Sequence, residues 1–227
     1  LELGNKNGSE DVLRVCRIKE DAKRSYDRLS KFYDLISRPF ESKYCDTALK
    51  LLNVKEGEMA LEVGFGTGHG LKQIAERVGR TGKAYGVDIS SGMCKITEKR
   101  LKEAGLTAEL YCGAATHLPY EDNKFDAVFS SFTLELFDTP EIPVVLGEIR
   151  RVMKPNGRIC FVSLSKENGG SRMLRSYEWI HKKFPKYADC RPIYLERSVR
   201  DAGFEVEHRE KAKLFGLPIE IVVGIKG

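Results

Sequence analysis

The feature that most constrains the fold lies at residues 59–70, where the apolar run Met59-Ala60-Leu61-Glu62-Val63 gives way to Gly64-Phe65-Gly66-Thr67-Gly68-His69-Gly70. Leu71, Ile74, Ala75 and Val78 then recur at helical spacing. A strand that passes through a glycine turn straight into a helix is the start of a βα unit, so the chain predicts a mostly parallel sheet. Glycines let the backbone approach a ligand that β-carbons would exclude, and N–H groups at the helix start can receive an anion. The spacing then discriminates among ligands. A triphosphate loop needs Gly-Lys followed by Ser or Thr, which is absent. The dinucleotide pattern G-x-G-x-x-G also fails, because its third position falls on His69 counting from Gly64 and on Leu71 counting from Gly66. What remains is E-x-G-x-G-x-G. Glu62 can meet an ammonium and the loop amides a carboxylate, which suits the two charges of an amino acid.

The pattern repeats downstream. Lys83 to Val87 reads as a second strand ending on Asp88, 20 residues beyond Gly68. A carboxylate there can accept hydrogen bonds from both hydroxyls of a ribose, which turns an amino-acid turn into a nucleoside site. Ser90 or Ser91 can cap a helix carrying Met93, Ile96, Leu101 and Ala104, closed by Gly105. Ala108–Cys112, Phe125–Ser130 and Arg158–Leu164 read as strands, and Val145, Leu146, Ile149, Val152 and Met153 as a helix stopped by the turn Lys154-Pro155-Asn156-Gly157. Leu195, Val199 and Ala202 mark a short helix. Phe204–Arg209 and Ile219–Ile225 form an antiparallel pair around Gly216–Pro218.

The expected organisation is one α/β domain over 53–227, preceded by a polar lead-in at 1–10 and a helical lid at 11–52 that Pro39 interrupts, with a cap insertion at 166–193. The lid and cap hold Phe32, Tyr33, Tyr177, Trp179, Phe184 and Tyr187, which suggest a partly apolar acceptor. The 227 residues are 41% hydrophobic and 31% charged, with no run of the roughly 20 apolar residues that span a bilayer. A net charge of +5, with basic and acidic residues interleaved, gives no nucleic-acid footprint and leaves peripheral membrane contact open. The lead-in lacks the features of a secretory signal, so the expectation is a cytoplasmic protein. The six cysteines lie far apart, with no C-x-x-C pair and no histidine at metal spacing; they read as reduced thiols with no metal site.

With these motifs in place the chain resembles the seven-stranded, Rossmann-like S-adenosylmethionine-dependent methyltransferases, and within them the group of menaquinone and ubiquinone biosynthesis C-methyltransferases. The resemblance rests on Tyr26-Asp27, Tyr33-Asp34, the stretch Leu61 to Gly68, Gly86-Val87-Asp88-Ile89-Ser90, Leu118-Pro119-Tyr120, Phe125-Asp126 and Arg151 to Arg158. It implies a sheet order 3-2-1-4-5-7-6 with strand 7 antiparallel, and S-adenosylmethionine across the carboxyl ends of strands 1, 2 and 4, leaving as S-adenosylhomocysteine. By position, Glu62, Gly64 and Gly68 would hold the methionine end, Asp88 the ribose, Ile89 and Met93 the adenine face, and Ala115 its edge by backbone, with Phe65, Gly66, Thr67 and Ala114 also among the cofactor-binding residues. Ser130 would sit beside the methyl group. Tyr26 and Tyr33 would belong to the lid, or pack within its own helix.

Two stretches depart from that pattern. Gly113-Ala114-Ala115 lacks the aspartate that meets the adenine amino group, and the Gly-Leu-Arg-Asn stretch of the quinone enzymes is here Thr133-Leu134-Glu135-Leu136. The expected reaction is therefore methyl transfer to a small, partly apolar acceptor, with a quinone or lipid precursor, or donor binding without catalysis, as alternatives. Should a proton have to leave, Glu135 is the first candidate base, followed by His69 and His117. Oligomeric state is not readable from the chain.

Overall fold

The computed structural model describes Val12, residues 38–167, 174, 179 and 190–227. The expected lead-in, most of the lid with Tyr26 and Tyr33, and most of the cap lie outside them. The chain runs α1 (Arg38–Leu52), β1 (Met59–Val63), α2 (His69–Val78), β2 (Lys83–Asp88), α3 (Ser91–Glu103), β3 (Glu109–Cys112), β4 (Phe125–Ser131), a 3-10 turn (Leu134–Leu136), α4 (Glu141–Val152), β5 (Met153–Leu164), α5 (Leu195–Asp201), β6 (Phe204–Leu214) and β7 (Leu217–Lys226). The seven strands form one sheet in the order β3-β2-β1-β4-β5-β7-β6. β1 to β5 are parallel, and β7 runs antiparallel to both neighbours.

Because side chains alternate across a strand, each strand feeds two cores. Leu61, Val63, Val128 and Phe161 face one side, where Val145, Leu146 and Ile149 of α4 and Leu195 and Val199 of α5 cover them. Ala60, Ala127, Phe129 and Val162 face the other, under Ala48, Leu49 and Leu52 of α1, the stripe of α2, and Met93 and Leu101 of α3. The result is a three-layer α/β/α sandwich. The part of the expected lid that is described, α1, packs on the sheet, and Pro39 stands in its first turn, where a proline's missing N–H costs nothing. Arg158 of β5 fastens its end by donating to the Leu52 carbonyl (3.1 Å) while pairing with both oxygens of Glu58 (2.9 and 2.7 Å).

Local chemistry sets the element ends. Ser90 caps α3 by accepting from the Met93 amide at 3.2 Å. The Lys154–Gly157 turn exists, but inside β5: Met153 pairs with Phe125 and Arg158 with Ala127, so the four residues loop out between two paired stretches. One expectation is corrected: Cys94 of α3 and Cys112 of β3 are joined in a disulfide, with Cα atoms 6.4 Å apart. Proximity created by folding, invisible in an 18-residue separation, makes that pair. Cys45 and Cys160 are free thiols.

Candidate active site

At the carboxyl ends of β1, β2 and β4 lies a cavity of about 230 Å³. The loop after β1 forms its floor. Gly64, Gly66 and Gly68 all adopt left-handed φ (76°, 50° and 80°), the conformation other residues resist. A β-carbon on Gly64 would stand 2.2 Å from the Thr133 hydroxyl oxygen, and one on Gly68 2.6 Å from the Thr97 methyl. The Gly66 peptide is held from both sides, its N–H donating to Asp88 Oδ2 (2.8 Å) and its carbonyl accepting from Thr97 Oγ1 (2.9 Å). Gly68 itself stays out of the cavity wall; it turns the chain into α2.

Glu62 is 3% exposed, on the α1–α2 side of β1. Gly70 makes room for it, since a β-carbon there would lie 2.4 Å from Glu62 Oε1. Burial, and next the charge of Asp88, hold its carboxyl well above the ordinary range. Its Oε2 is buried and makes no hydrogen bond to a described residue. An acceptor so placed in a cavity wall fits a ligand ammonium, since an unmatched buried polar atom costs roughly 1–3 kcal/mol. Asp88 lines the cavity as well. Its oxygens accept from the Gly66 and Ser90 amides (2.8 and 2.9 Å), and a carboxylate is the type of acceptor that a ribose hydroxyl meets. Phe65, Thr67, Ile89, Met93, Ala114 and Ala115 complete this half of the lining.

The opposite wall is built differently. Ser131, Phe132, Thr133, Leu136, Phe137 and Glu141 line it, together with Ser42 and Cys45 of α1. Ser130, expected there, is corrected by strand alternation: it is 1% exposed on the other face, donating to the Val63 carbonyl at 2.8 Å, so its neighbour Ser131 faces the cavity. Phe132, a lining residue, holds a left-handed φ of 50°. The period of two was legible in β4 and would have selected Ser131.

The three candidate bases separate. Glu135 is fully buried and accepts from the Leu164 amide at 3.2 Å, so it ties the turn to β5 and is absent from the cavity wall. His117 is exposed beside Glu148, away from the cavity, because its turn faces α4. His69 does line the cavity. Its Nε2 stands 3.1 Å from Asp46 Oδ1, and Gln73 donates to the same oxygen at 2.6 Å. Burial pulls the Asp46 carboxyl upward, but the hydrogen bonds from Gln73 and His69 outweigh it and leave it below its ordinary value. The neighbouring Cys45 thiol is pushed far up by burial and by Glu62, so it stays neutral.

A parallel sheet wound on both faces, with a glycine loop, a buried carboxylate after the first strand and an aspartate ending the second, defines a class I S-adenosylmethionine-dependent methyltransferase. The methyltransferase domain family matches residues 60–157. The chain is 34% identical over 195 residues to the demethylmenaquinone methyltransferase of Bacillus subtilis (strain 168), covering 83% of this chain and 82% of that one. It is 36% identical over 229 residues to the demethylmenaquinone methyltransferase of Geobacillus kaustophilus (strain HTA426), covering 90% and 93%. Among solved structures, a SAM-dependent methyltransferase from Aquifex aeolicus matches with a TM-score of 0.66 at 24% identity (88% of this chain, 98% of that one), a likeness of fold. The chain belongs to this methyltransferase family, and it is an enzyme that uses S-adenosylmethionine.

Proposed function

We propose that the enzyme methylates a small, partly apolar acceptor of the quinone-precursor type, the class named in its relatives. The observation that carries this reading is the continuity of the cavity: the Glu62 end passes directly to the apolar surface of Phe132, Leu136 and Phe137. When bound, S-adenosylmethionine supplies an electrophilic methyl group. Glu62 receives its ammonium, the loop amides its carboxylate and Asp88 its ribose. The chain's remaining task is to hold the acceptor in line and exclude water, which can contribute about 7–11 kcal/mol when the geometry is right.

Methylation of a ring carbon next to a hydroxyl also requires a proton to leave. His69 is the cavity imidazole for that step. With the Nε2 proton donated to Asp46, Nδ1 is left as the basic nitrogen, and Gln73 keeps Asp46 in place. The resemblance to the quinone enzymes had pointed to the residues after β4; here Glu135 serves structure, and base and acceptor wall are split between α2 and the 131–141 segment. Mass spectrometry of the product formed from labelled donor and a demethylated quinol tests this. His69→Ala is expected to lower kcat by about a hundredfold and Asp46→Asn by a smaller factor, with donor affinity retained. Product formation by His69→Ala at the parent rate would remove His69 from the reaction. Absence of any methylated quinol from the parent enzyme would remove the acceptor class.

A further inference from the structure

Two groups of metal-ligating side chains come together among the described residues: Glu167, Glu196 and Glu220, and Cys45, Asp46 and His69. The first is already filled by a cation of the chain itself. Arg209 pairs with Glu196 at 2.7 Å and also with Glu167 and Glu220, so its guanidinium sits where an ion would. The second differs in chemistry as well as in place. It combines one thiol, one carboxylate and one imidazole, the mixed set that suits a thiophilic divalent cation such as zinc, whereas sets made of oxygen alone suit magnesium or calcium.

Two helices bring the three ligands together. Cys45 and Asp46 are consecutive in α1, and His69 opens α2. One ligand atom from each lies within 4.8 Å of the others, and His69 Nε2 already stands 3.1 Å from Asp46 Oδ1. Ligand atoms around a tetrahedral zinc, bonded at about 2.0–2.3 Å, stand roughly 3.3–3.8 Å apart, so a small turn of the side chains closes the set. The carboxylate is held from behind. Gln73 donates to Asp46 Oδ1 at 2.6 Å while its own carbonyl accepts from Arg77 at 3.3 Å, which keeps the amide NH2 turned toward Asp46. Cys45 and His69 line the cavity, so a cation reaches them from it.

We infer that Cys45, Asp46 and His69 form a binding site for a thiophilic divalent cation such as zinc. On binding, the thiol proton leaves to solvent and a sulfur–metal bond forms, while the imidazole Nε2 and a carboxylate oxygen each donate a lone pair. A neutral imidazole bound through Nε2 carries its one proton on Nδ1, so the occupied site blocks the base assigned to His69 above. That blocking rests on the proposed reaction. The site itself does not.

The test is equilibrium dialysis of the purified full chain against zinc alone, with cobalt as a spectroscopic probe of the same ligands. The parent should bind zinc stoichiometrically with a Kd of about 1 µM or tighter, and its cobalt complex should show a thiolate-to-metal charge-transfer band. Cys45→Ser should abolish that band and weaken zinc at least about tenfold, and His69→Ala should weaken zinc by about as much. His117→Ala, away from the cavity, should change neither. Parent-like circular dichroism of each variant separates a lost ligand from a lost fold. Absence of stoichiometric zinc from the parent, a cobalt complex without the thiolate band, or parent-like zinc affinity in either Cys45→Ser or His69→Ala overturns the inference. Saturating zinc should lower methyl transfer by the parent at least about tenfold, and an unchanged rate with zinc bound overturns the blocking. Metal binding is read without donor or acceptor, so its failure is distinct from failure of the product analysis above.

Discussion

The cavity has two walls of opposite construction. The donor wall, from Glu62 to Gly70 with Asp88 and Met93 beyond, is made by backbone conformation at the ends of two adjacent strands, and its groups are neighbours in sequence. The acceptor wall, from Ser131 to Glu141 with Ser42 and Cys45, is made by side chains that meet only because α1 packs across the sheet and β4 alternates as it does. The difference teaches where tolerance lies. Backbone-made sites fail abruptly when a β-carbon is added, whereas side-chain walls change in graded steps with the volume removed.

Mutations on each side can break or sharpen that contrast. The largest effect is expected from Gly64→Ala, where a left-handed φ and a β-carbon 2.2 Å from Thr133 Oγ1 oppose the substitution together. Isothermal calorimetry should show donor affinity lower by about a hundredfold or more, as befits several kcal/mol of combined strain and overlap; wild-type affinity would mean that the loop is not the donor floor. Next comes Glu62→Gln, which should weaken the donor roughly tenfold to a hundredfold through loss of a charged hydrogen bond.

Glu62 also carries a pH signature. Its carboxyl is raised, so the free folded protein keeps a proton above 4.5, the ordinary value, where the unfolded chain has lost it. By itself that burial favours the fold at low pH, and the advantage fades as pH rises through the raised value. A bound ammonium favours the ionised form and expels the proton. Donor affinity should therefore rise with pH between 4.5 and the raised value. Calorimetry in two buffers of different ionisation enthalpy should detect proton release in the parent and none in Glu62→Gln. Proton uptake on binding would reverse the assignment.

A smaller effect is expected across the cavity. Leu136→Ala should raise the acceptor KM about fivefold to tenfold, in line with one lost apolar contact, while the donor constant stays fixed. A parallel rise in donor KM would show the two walls to be one unit. The smallest effect belongs to His117→Ala, expected to change kcat and both KM values by less than about twofold, as for an exposed surface substitution. A larger loss would return His117 to the chemistry.

Much of this molecule was legible in the chain. The glycine loop and the strand ends around it could be read because their information is local: positive φ demands glycine, strand periodicity fixes where β1 and β2 stop, and Asp88 follows the loop by one βα unit. The hairpin was visible in outline too, although its strands extend to Leu214 and from Leu217, past the expected limits. The surroundings of the candidate bases and the residues of the wall facing the glycine loop were not. Glu135 read as a candidate because it follows β4, yet the turn it occupies directs its carboxylate to the Leu164 amide. His69 looked like one histidine among others until α1 brought Asp46 to it across 23 residues.

The sequence by itself determined a mostly parallel βα sheet, its order through the family pattern, and a glycine loop with Glu62 before it and Asp88 one βα unit beyond, because each rests on backbone geometry within one or two adjacent elements. Only the tertiary structure decided that Ser131 and not Ser130 faces the cavity, that Cys94 meets Cys112, and that His69 is held by Asp46. Those three depend on strand register and on how layers pack, quantities fixed by contacts between residues far apart in the chain.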